Sequence, residues 1–162
     1  QGSSSDFTAT IIKAADLPFL SKTFGNFSTT AAKDTLTGTS FADTFAFSTT
    51  PSYSSGGKIE DVTAKSDVIT NFNPAEGDII KISKTAFGIS SSGFSPTFTQ
   101  VSKTPDLPAQ LGSAIQIVYD QSTGFLYNNQ DGALSNGCGS NGGIFAVLTN
   151  RPNLSSGNIQ FI

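Results

Sequence analysis

No histidine occurs anywhere in these 162 residues, and neither methionine nor tryptophan is present. Without histidine the chain lacks the commonest general base, the commonest zinc ligand and the usual pH switch. A Ser-His-Asp or Cys-His arrangement cannot be built from it. Without methionine it lacks an initiator residue, so it is expected to be a processed form or a piece of a longer protein. A single cysteine, Cys138, excludes an intrachain disulfide framework. Charged side chains make up only 13 % of the chain, with a net charge of −3. That mild acidity argues against nucleic acid as a partner, which requires a basic stripe. No apolar run approaches the ~20 residues that span a bilayer, so no transmembrane segment is expected.

What is present is hydroxyl-rich and turn-rich, with 14 phenylalanines and 16 glycines. The profile suits an exported protein, and the length suits one domain. Helix signals are sparse: Thr10–Leu17 is the best stretch, and Pro18 stops it. Strand signals are many. Thr44–Ser48 alternates polar and apolar residues, Val68–Phe72 and Asp78–Ile82 follow, and Pro96 confines Phe94–Val101 to a sheet edge. Ile115–Asn129 reads as a hairpin turning at Gln121–Gly124. Ile144–Leu148 reads as a buried strand, and Ile159–Ile162 as a closing one. The expected fold is all-β. Residues 1–30 lack this rhythm and read as an N-terminal arm, leaving 31–162 as the domain.

The stretch Asp34–Phe45 carries the chemistry. Gly38 lets the backbone fold tightly and turn its carbonyls inward, and Asp43, five residues on, sends a carboxylate to the same point. Phe45 then anchors the next strand. Carbonyls plus a carboxylate are what a hard cation such as Ca2+ takes as ligands. Asp67 and Asn71 are evenly spaced along a strand and are expected on one face, with Val68 and Phe72 on the other. Both are expected to meet the Asp43 turn, and Asp78 is a further candidate. Glu76 and Asp61 are weaker ones. Asp34, Asp120 and Asp131 sit in turns, whose own chemistry accounts for them. Gly137–Gly142 matches a dinucleotide-binding pattern literally, but a strand follows it where a helix is required.

These motifs resemble the repeats-in-toxin (RTX, hemolysin-type calcium-binding) family, whose repeat is G-G-x-G-x-D-x-U-x. Gly38, Asp43 and Phe45 match the first glycine, the aspartate and the large apolar position; Thr39 and Phe41 depart from the glycines. Asp67–Phe72 and Gly77–Ser83 are similar to the segment closing RTX and serralysin-type C-terminal domains, with Asn71 in place of an aspartate and Lys81 where an aspartate is common. The resemblance covers roughly residues 31–162. It implies a short parallel β-roll with calcium turns merging into antiparallel hairpins or a sandwich. It further implies a non-catalytic, Ca2+-stabilised module of a secreted or cell-surface bacterial protein, with Gly38, Asp43, Asp67, Asn71 and Asp78 at the metal.

Two other classes stay open. One is a self-assembling subunit of a filament, surface layer or matrix, associating with itself or a larger parent polypeptide through an arm such as Phe7–Ile12. The other is an adhesive or carbohydrate-binding domain using Tyr119, Tyr127 and Asn128.

Overall fold

The computed structural model describes residues 24–54, 62–89, 97–130, 138 and 142–162. The helix expected at Thr10–Leu17, Asp61, Asp131 and most of the Gly137–Gly143 loop lie outside them. The described residues are β-rich, as expected, with one short α-helix and several 3-10 turns. In chain order the strands are β1 (Asn26–Ser28), β2 (Thr35–Thr37), β3 (Thr44–Phe47), β4 (Asp67–Thr70), β5 (Ile79–Ile82), β6 (Phe98–Val101), β7 (Ile117–Asp120), β8 (Phe125–Asn128), β9 (Gly143–Leu148) and β10 (Ile159–Phe161). The helix α1 is Leu107–Leu111.

The strands form two sheets. One has the order β1-β3-β5-β10 and is wholly parallel. The other has the order β2-β4-β9-β8-β7-β6 and mixes parallel pairs with the antiparallel β9/β8 and β8/β7 pairs. The first five strands alternate strictly between the sheets. β1, β2 and β3 begin at residues 26, 35 and 44, a step of nine residues. β1 falls inside the segment read as an arm, so the first sheet begins before residue 31.

The periodicity has a physical basis. Each turn of nine residues delivers one large apolar side chain inward: Phe27, Leu36 and then Phe45. Phe45 is in register with Ile80, and Ile80 with Ile159, while Leu36 pairs with Ile69 and Ile69 with Leu148. Phe27 stacks on Phe45 at 5.0 Å between ring centres. Phe47, Phe87 and Phe145 meet edge to face, the geometry that aromatic quadrupoles favour. Burying one such side chain stabilises by roughly 1.5–3 kcal/mol, so this column holds the two sheets together.

The hairpin predicted around Gln121–Gly124 is β7/β8. Asp120 closes its turn: its Oδ1 accepts from the Ser122 N–H and its Oδ2 from the Thr104 hydroxyl, while Gly124 takes a left-handed φ of 83°. β6 ends the second sheet, the edge position that Pro96 implied. The outer face of that sheet is covered by α1, whose Leu107 and Leu111 pack with Val101 and Val118. Cys138 is half-buried and packs against that cluster. Among the described residues no helix is long and apolar enough to cross a membrane.

Candidate functional site

The alternation between sheets makes two kinds of turn. Residues 38–43 and 71–78 lead from the second sheet back to the first. Residues 29–34 and 48–66 lead the opposite way. The turns of each kind stack, and each stack carries aspartates just before or at the start of its strands.

Four of the five candidates come together in the first stack: Gly38, Asp43, Asn71 and Asp78. Asp43 is 1 % exposed and accepts at both oxygens. Its Oδ1 takes the Gly25 N–H at 2.7 Å and the Thr39 hydroxyl at 2.9 Å, and its Oδ2 takes the Thr39 N–H. Asp78 is fully buried; its Oδ1 takes the Asp43 N–H and its Oδ2 the Asn73 N–H, both at 2.8 Å. Each carboxylate thus binds the backbone of the preceding coil, and Asp43 links both bonds. Burial pushes the Asp78 carboxyl up from its ordinary range, and the two N–H bonds hold it back. Gly38 is obligatory here, because a Cβ would lie 2.6 Å from the Asn71 carbonyl oxygen. Asn73 caps the 3-10 turn Pro74–Glu76, and Gly77 ends it at φ 95°.

Asp67 belongs to the second stack. It and Asn71 sit at opposite ends of β4, so the expectation that both meet the Asp43 turn is not met. The facing of the strand also differs: Ile69 and Phe72 enter the main core, and Val68 does not. The reason is Asn71, whose left-handed φ of 59° breaks the alternation before Phe72.

The second stack is less satisfied. Asp67 is 3 % exposed; its Oδ1 accepts the Asp34 N–H at 2.7 Å. Its buried Oδ2 has no hydrogen-bond partner among the described residues, and nor does the buried Thr29 hydroxyl in the 29–34 turn. Burial pushes the Asp67 carboxyl up to about 6; the Asp34 charge adds to this, while the Asp34 N–H and Lys33 oppose it. Asp34 was explained by turn chemistry, and its Oδ2 does accept the Thr30 N–H at 2.6 Å and hydroxyl at 2.9 Å. Sequence reasoning missed its contact with Asp67. The available signal was the nine-residue spacing of Gly25, Asp34 and Asp43.

Among the described residues, no three acidic or sulfur side chains converge into a metal cage. A cation would therefore draw on carbonyls, hydroxyls and water besides carboxylate, as calcium does. The second stack suits one: a buried carboxylate oxygen without a partner is costly unless something positive meets it. In the first stack every carboxylate oxygen already accepts an N–H or O–H.

The carbohydrate reading loses its surface. Tyr119 and Asn128 are fully buried. Asn128 instead donates to the Tyr53 hydroxyl and the Phe87 carbonyl, and burial pushes the Tyr119 and Tyr127 hydroxyls up. Compared with known proteins, the chain matches no family model, no curated protein and no solved structure.

Proposed function

We propose that this chain is a non-catalytic, calcium-binding structural module of a secreted or cell-surface protein: a short parallel β-roll with ion-binding turns, merging into antiparallel hairpins. The observation that carries the reading is the Asp67 carboxylate, buried at the 29–34 turn with Oδ2 lacking a partner among the described residues. Asp67, with the Thr29 hydroxyl and Asp34 in the adjoining turn, would hold the ion. The nine-residue step of Gly25, Asp34 and Asp43 supports the same reading, because it is the phase of the repeats-in-toxin pattern.

An ion that binds only the folded chain adds its binding free energy to folding, about 2.7 kcal/mol at a hundredfold excess over Kd. Such a module stays loose where calcium is scarce and folds where it is millimolar, which suits export. The test is a thermal melt with static light scattering, in millimolar calcium and in excess chelator. A calcium-dependent rise in Tm of several degrees at monomeric mass is expected; an unchanged Tm would overturn the reading.

A second reading, a self-assembling subunit, is favoured by β1. It is an edge strand without a charged residue, preceded by Phe24, which is 54 % exposed. Uncharged edges invite strand addition. A mass that grows with calcium in the same experiment would favour it.

A further inference from the structure

In the turn from β2 to β3, two successive carbonyls, those of Gly38 and Thr39, point at one spot. Converging carbonyl oxygens need something positive between them, and a hard cation is one solution. Here the Asn71 side chain fills that place. Its Nδ2 donates to the Gly38 carbonyl at 3.1 Å and to the Thr39 carbonyl at 2.8 Å. The network fixes the amide's orientation, since an oxygen there would face two others. The backbone aims it: Asn71 has φ 59°, a left-handed conformation that asparagine adopts more readily than most residues. Gly38 completes the approach by donating its N–H to the Thr70 carbonyl at 2.9 Å.

We infer that the Asn71 amide takes the place of a cation in the Gly38–Asp43 stack, which is therefore closed without metal. This inference rests on the calcium reading only for where the ion goes: it confines ion binding to the Asp67 stack. It also names the residue that sets the ion count. Replacing the Asn71 amide nitrogen by a carboxylate oxygen removes the donor and leaves a carboxylate and two carbonyls around one spot. That set repels itself in chelator and suits calcium with water completing the shell.

The test is a calorimetric titration of the full chain with calcium chloride, with melts in calcium and in chelator. Asn71→Gly keeps the left-handed backbone and removes the clamp. It should lower Tm by on the order of 3 °C equally in both conditions, with calcium binding as in the unsubstituted chain. Asn71→Asp should bind one more calcium than the unsubstituted chain, melt lower than it in chelator, and recover in calcium. A tenfold weakening of calcium binding in Asn71→Gly would make Asn71 a ligand and overturn the inference. So would an Asn71→Asp chain that gains no calcium. If the unsubstituted chain binds none, the Asp67 reading fails, while a calcium gained by Asn71→Asp still upholds the clamp.

Discussion

The two turn stacks are built alike and finished differently. In both, an aspartate at the mouth of a strand accepts the N–H of its counterpart one coil earlier: Asp43 from Gly25, Asp78 from Asp43, Asp67 from Asp34. In the Asp43 stack the second oxygen is also used, by Thr39 or Asn73. In the Asp67 stack it is left over. A carboxylate can therefore be the cement of a β-coil or an ion ligand at the same place in the repeat, and the number of donors around it decides which.

The largest expected effect breaks the satisfied side. Asp43→Ala leaves the Gly25 and Thr39 N–H groups without their acceptor and should cost about 3 kcal/mol, whether or not calcium is present. Asp67→Ala in chelator should cost within about 1 kcal/mol, because it removes one bond and also an unpartnered buried oxygen. Chemical denaturation of both variants checks the contrast; equal losses in chelator would erase it. Gly38→Ala comes next, at about 1–3 kcal/mol, because the added Cβ meets the Asn71 carbonyl and the stacked turns must separate.

A smaller effect follows from acid. The Asp67 carboxyl in the folded chain is raised to about 6 from 3.8. The folded state then holds a proton that the unfolded state has released, so this group's contribution is full below about pH 4 and is lost as pH rises through 6. The buried Asp78 carboxyl, also raised, acts with the same sign. In chelator, Tm should fall between pH 4 and pH 7, and Asp67→Asn should flatten part of that fall. A fall of the same depth in Asp67→Asn would assign it elsewhere.

Much of the fold was legible because it follows short-range rules. Thr44–Phe47 alternates, Gln121–Gly124 is turn chemistry, and Pro96 marks an edge. β1 and β2 were not legible by those rules: each has three residues and a single apolar centre, Phe27 or Leu36, too short to alternate. Their signal was recurrence at nine residues, which period-two reasoning does not see. At the site, Gly38 and Asp43 stood out through their spacing. Asp34 was hidden by its adequate role as a turn cap. Asn71 was misplaced because one left-handed residue reverses the facing of everything after it, and no pattern of polarity announces that conformation.

The account's central claim, that calcium is held at Asp67, is tested most directly by comparing the calcium-dependent rise in Tm of the unsubstituted chain with that of Asp67→Asn. The substitution keeps an acceptor for the Asp34 N–H and removes the leftover anionic oxygen. The account predicts that Asp67→Asn melts at or above the unsubstituted chain in chelator and gains little or nothing from calcium. A full calcium-dependent rise in Asp67→Asn would contradict it.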